Sequence, residues 1–223
     1  MPPASRRCPL TADRRAVDLD ASHVAGWLLV VGSVSFGIGA GDPYLVRAWT
    51  APHETFLAIV ARHPMAWRTT HVLFIGGTVL TTAGLAVLPS LLPDGWPRAL
   101  ALAGAAAFVI AAVLWIVSLV YRLVVTPGTA RVFTETRALD PSVMVLDRLN
   151  AGLFKAFIIV ALAGLAAIGV ATTTGGPIPA PLGWGSAALS GLLVGGLLLT
   201  GDMPPFTVYL APLAFGIALL VGS

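Results

Sequence analysis

Residues 99–125 read ALALAGAAAFVIAAVLWIVSLVYRLVV. One charged side chain stands in this run, Arg122, and it sits near the C-terminal end. About 20 apolar residues at helical rise cross the hydrocarbon of a bilayer, so this segment is long enough to cross with a tilt. Lipid offers the backbone no hydrogen-bond partner, which leaves a helix or a closed barrel as the possible forms. Barrel strands alternate apolar and polar residues, and no such alternation is present, so the segment is read as a helix.

The same reading extends outward to residues 23–40, 70–92, 150–172, 182–200 and 206–221. None has an uncompensated charge at its centre, and the first and last are short. The expected fold class is all-α, a polytopic membrane helix bundle with six transmembrane helices and one or two short interfacial helices. Residues 1–22 are expected to form a disordered, polar, basic tail, and residues 23–223 a single six-span domain. Composition agrees: 57% of residues are hydrophobic and 10% charged, where a soluble domain carries about 25% charged residues. The expected location is the cell membrane.

The net charge of +3 comes from residues on segment flanks. No basic face is interleaved with aromatics, so nucleic acid is not an expected partner. The single cysteine, Cys8, excludes an internal disulfide and a C-x-x-C site. Arg6, Arg7, Arg14 and Arg15 precede the first apolar run as in a signal peptide. Ile38 stands where a cleavage site needs a small residue, so the run is read as an uncleaved span.

The connections are unequal. On the face that carries the N-terminus (face A), the links at 93–98 and 173–181 are Pro/Gly turns. On the opposite face B, the links at 41–69 and 126–149 are long and charged, and the link at 201–205 holds Asp202. Residues 54–61 space Phe56, Ile59 and Val60 for one face of a short interfacial helix. Residues 129–138 suggest a second surface helix, and Pro212 an interruption of the last span. His63-Pro64 and Asp140-Pro141, each followed by span, Gly-Trp turn and span, suggest a duplicated hairpin. Orientation stays open: counted Lys and Arg residues place face B in the cytoplasm, and the basic tail places face A there.

Candidate site residues converge on face B. His71 opens the second span, Arg122 closes the third, Lys155 lies one turn into the fourth, and Asp202 follows the fifth. Arg68 flanks the second span. Ionisable groups at a membrane edge mark functional positions or snorkel to the interface. This basic cluster with one acid suits an anionic head group, a carboxylate or a phosphate. Ligand binding is therefore assigned to Arg68, His71, Arg122, Lys155 and Asp202.

Other chemistries find less support. His23 and His71 lie at opposite faces and cannot share a haem. His53, His63 and His71 with Glu54 or Asp42 have zinc-ligand types without zinc-site spacing. Ser186 and Ser190 have no later histidine as base. No cofactor, metal or catalytic residue is assigned. Gly191-x-x-x-Gly195 and Gly37-x-x-x-Gly41 fit close helix packing, within the chain or between copies. Trp27, Trp49, Trp67, Trp96 and Trp184 are placed in the interfacial belt, with Trp115 deeper.

The stretch Arg62-His63-Pro64-Met65-Ala66-Trp67-Arg68-Thr69-Thr70-His71-Val72-Leu73-Phe74 resembles a stretch of uncharacterised small multi-pass membrane proteins, over roughly residues 1–90. The resemblance implies the architecture and no activity. The expected function is non-enzymatic binding of a lipid or a small anionic or amphipathic ligand at the face-B cluster. The alternatives are passage of a small solute, interfacial lipid chemistry at His71, or a structural role in an assembly. Expected partners are membrane lipids, an unidentified small molecule and a second copy of the chain.

Overall fold

The computed structural model describes residues 10–138 and 140–222, with side chains described from residue 21 onward. Cys8, Arg6 and Arg7 lie outside the described residues. Seven α-helices order the described residues: α1 (Leu10–Ala40), α2 (His53–Arg62), α3 (Pro64–Val87), α4 (Trp96–Thr136), α5 (Pro141–Thr172), α6 (Ala180–Thr200) and α7 (Leu210–Val221). There is no strand among the described residues. Among the described residues, five helical segments, in α1, α3, α4, α5 and α6, are long and apolar enough to cross a membrane. Large apolar side chains cover their outer faces, as at Leu199 (89% exposed) and Leu192 (74%). Such a surface calls for lipid.

The helix ends follow local chemistry. Helix α3 opens on Pro64 and α5 on Pro141, where a missing N–H costs nothing. Asp140 caps α5, its Oδ1 accepting from the Ser142 amide (2.8 Å) and the Ser142 hydroxyl (2.7 Å). The hydroxyl bond, then the amide bond, holds this carboxyl below the ordinary carboxylate range. Helix α1 starts at Leu10, ahead of the first span expected from His23.

Two expectations need correction. The second surface helix, placed at 129–138, is the end of α4, which runs unbroken through Pro127 for 41 residues. That is about 60 Å of helix, twice the hydrocarbon thickness. An internal proline costs about 3 kcal/mol. Here burial offsets it: Ala130 and Phe133 close a small core with Leu57 and Val60 of α2 and Trp67 of α3. The helix stops at Arg137, whose left-handed backbone (φ 58°) lets its amide bond to Phe133 O. Helix α2, expected over 54–61, forms as an amphipathic helix with Leu57 and Val60 buried.

The second correction concerns glycines. A methyl on Gly37, Gly191 or Gly195 would meet nothing within 4 Å, so these are not crossings within the chain. Other pairs are. A Cβ on Gly104 of α4 would lie 2.6 Å from Gly164 O of α5, and the reverse distance is also 2.6 Å. Gly77 against Gly32 joins α3 to α1, and Gly169 against Gly183 joins α5 to α6. Small residues let helix backbones touch where lipid supplies no hydrophobic drive.

The last apolar segment is divided. Pro205–Tyr209 is a 3₁₀ turn, followed by the 12-residue α7. Pro212 lacks the N–H that would bond to Val208 O, and the change of helix type falls beside that point. Tyr209 stacks on Phe36 of α1, with ring centroids 3.9 Å apart, and its hydroxyl lies 2.6 Å from Thr78 Oγ1 of α3. Gly26 of α1 and Gly216 of α7 approach closely. Pairing with α1 therefore fixes α7.

Candidate ligand-binding site

Ser118 and Arg122 stand four residues apart on α4 and share a helix face. That face meets Asn150 of α5, which is 6% exposed. The Asn150 amide is oriented by its neighbours: its oxygen accepts from Arg122 Nε at 3.0 Å and its nitrogen donates to Ser118 Oγ at 2.6 Å. One turn of backbone is fixed as well, because the Trp67 indole N–H donates to Arg122 O at 3.0 Å. Arg122 is thus held from α3 and α5 while its terminal nitrogens stay outside these bonds.

Among the described residues, no acid forms an ion pair with it. The ion pairs among the described residues are Arg98–Asp94 and Arg131–Glu135. Asp147 and Asp202 act on Arg122 through space. Asp147 is itself engaged, accepting from the Tyr121 hydroxyl at 2.9 Å.

Arg122 lies in the walls of two cavities. The larger, about 790 Å³, is also lined by His71, Lys155, Asp202, Trp115 and Phe154. The smaller, about 320 Å³, is lined by polar groups that include His53, Tyr121, Thr129, Asp147 and Asn150. Trp49, Arg122 and Ala151 belong to both. Lys155 and Asp202 are exposed, so the larger cavity reaches the surface at face B. A pocket of this size holds a small amphiphile, with an apolar lining and a few polar groups that set orientation.

Of the residues expected at the site, His71, Arg122, Lys155 and Asp202 line one cavity. Arg68 does not. It is exposed on the outer face of α3, and Trp67 takes the inward place beside it. Trp49 and Trp67 are also not membrane-belt residues, since they pack against each other at 5.9 Å and face inward. Trp27, Trp96 and Trp184 are the exposed ones. Asn150 was missed. Its signal was a lone amide opening an apolar span opposite the Ser118/Arg122 pair.

Two of the other polar candidates have structural partners. Ser186 donates to Leu165 O (3.3 Å) across the α5–α6 crossing. His63 stacks on Tyr44. Among the described residues, no three His, Cys, Asp or Glu side chains converge to hold a metal. No family model, curated protein or solved structure matches this chain.

Proposed function

We propose that this protein binds a small anionic amphiphile in the larger face-B cavity, and that Arg122 receives the charge. One observation carries the reading. A guanidinium anchored through Nε by Asn150, with no acid paired to it among the described residues, opens on a largely apolar chamber. An unpaired charge in such surroundings is expensive, and an anionic head group with an apolar chain satisfies both parts of the site. Lys155 at the rim adds a second cation, and Asp202 orients the head by repulsion or by accepting its donors.

Octanoate and octan-1-ol have the same chain and differ in charge. Titrated into the protein in lipid nanodiscs and followed by tryptophan fluorescence, octanoate is expected to saturate and octanol to bind at least tenfold more weakly. Bonds to charged groups contribute about 1.5–3 kcal/mol, so Arg122→Ala is expected to weaken octanoate by about tenfold or more. Arg122→Lys retains part of the affinity, having charge without the planar fork. Equal octanoate affinity in wild type and Arg122→Ala contradicts the proposal.

The bundle spans the cell membrane six times in this reading, with Pro205–Val221 as the sixth crossing. Its 3₁₀ turn has the longer rise, so turn and helix together reach about 28 Å, close to the hydrocarbon thickness. A Cβ on Gly222 would lie 3.8 Å from Pro177 O in the face-A link, which supports a full return. In a Cys8→Ser background, cysteines at Asp94, Thr174 and Gly222 are expected to react with an impermeant maleimide from one side. Cysteines at Ala138 and Asp202 react from the other. Labelling of Gly222→Cys together with Ala138→Cys would leave five crossings.

A further inference from the structure

Three ring nitrogens around the larger cavity have no hydrogen-bond partner: His71 Nε2, Trp115 Nε1 and Trp49 Nε1. His71 is fully buried, with Nδ1 2.8 Å from Trp67 O. A carbonyl only accepts, so Nδ1 carries the proton in that bond. No carboxylate forms an ion pair with the ring among the described residues, and an unpaired buried charge is costly. The neutral ring therefore presents Nε2 as an acceptor. The two indole nitrogens can only donate. Buried polar atoms without partners are rare and call for an explanation. The Ser22, Ser33 and Thr81 hydroxyls and Arg98 Nε are also without partners but lie outside the chamber's lining; the one acceptor and two donors on rigid rings belong to residues that line the chamber with Arg122.

We infer that the head of the ligand carries a hydroxyl beside its negative charge. A hydroxyl is the simplest group that both donates to His71 Nε2 and accepts from an indole N–H. Arg122 and Lys155 take the anion, and Phe74, Phe154 and Phe206 flank the chain. The ligand class is a hydroxylated anionic amphiphile of the hydroxy-acid type. This inference rests on the anion-binding reading above and adds what the head must contain.

Trp49 lines both cavities. Its ring stands 5.9 Å from Trp67 and 6.1 Å from Phe74. Those two rings flank His71 at 4.1 and 5.9 Å. Trp49 belongs to the 41–52 segment of turns, outside the α-helices, and is half-buried. A ligand in the chamber changes the environment of this indole, which makes binding visible by fluorescence.

The test compares octanoate with 2-hydroxyoctanoate and 3-hydroxyoctanoate, using wild type and His71→Phe in nanodiscs. At least one hydroxy acid is expected to bind wild type about tenfold more tightly than octanoate. In His71→Phe, which keeps a packed ring without an acceptor, the ratio of hydroxy-acid to octanoate affinity is expected to fall to about one. Equal affinity of all three acids for wild type overturns the inference and leaves the anion-binding reading standing. A preference that survives His71→Phe overturns the role of His71. Failure of all three to bind removes both readings. Should His71→Phe not accumulate in the membrane, His71→Gln keeps an acceptor and is expected to keep the preference; its loss there counts against the inference.

Discussion

Gly104→Val is expected to prevent α4 and α5 from docking. A Cβ at this position lies 2.6 Å from Gly164 O, 2.8 Å from Ile168 Cγ1 and 3.1 Å from Ile168 N. Two of these atoms are backbone and cannot rotate away, so the helices themselves must separate. Overpacking costs typically 1–3 kcal/mol where side chains can adjust, and here they cannot. Gly104→Ala is expected to destabilise by about 2–3 kcal/mol, with Val beyond that. The control is Gly191→Ala. Its new methyl meets nothing within 4 Å, and alanine gains about 0.5–1 kcal/mol over glycine in a helix. The same substitution thus takes opposite signs on α4 and α6. Thermal unfolding in detergent, read by near-ultraviolet dichroism, checks this. A Gly104→Ala protein as stable as wild type would place the α4–α5 crossing elsewhere.

The second large effect is expected at Asn150. Neutral hydrogen bonds between membrane helices average about 0.6 kcal/mol. The Asn150 bond to Arg122 is charge-assisted, which raises the range to about 1.5–3 kcal/mol. Asn150→Leu keeps the bulk and leaves Arg122 Nε and Ser118 Oγ without their partner, so stability falls by that amount. Asn150→Asp separates structure from binding. Its carboxylate still accepts from Arg122 Nε, so stability is largely kept. Its charge neutralises the guanidinium, and octanoate affinity falls at least tenfold. Parallel loss of stability and affinity in both variants would show that Asn150 supports the fold and does not set the charge of the site.

How much of this was legible in the sequence follows from what a bilayer does to residue patterns. Span-length apolar runs announce themselves, and so does a charge such as Arg122 at the end of one. The side of a helix that meets protein does not. Lipid and partner helices are both apolar, so the inside–outside contrast that marks an amphipathic helix is absent. The spacing Gly191-x-x-x-Gly195 therefore looked like a crossing and is open, while Gly104 and Gly164 meet without any local motif. The end of α4 was hidden for a related reason. Pro127 is a local stop signal, and the burial of Ala130 and Phe133 that overrides it is tertiary. Arg68 and His71 both lie at membrane face B, but which side of α3 turns inward is not written in the sequence: Trp67 and His71 are buried and Arg68 is exposed. Trp49 lies in a turn segment with no periodicity at all. Its place between two cavities depends on how the chain returns from α1 to α2.

In the proposed reading, the face-B chamber holds an anionic amphiphile through Arg122. Native mass spectrometry of the protein released gently from membranes tests it most directly, with Arg122→Ala measured beside wild type. One stoichiometric adduct is expected on wild type, of a mass and charge that identify an acidic amphiphile, and its loss from the Arg122→Ala protein. The same adduct on both proteins, or a neutral lipid in its place, would contradict it.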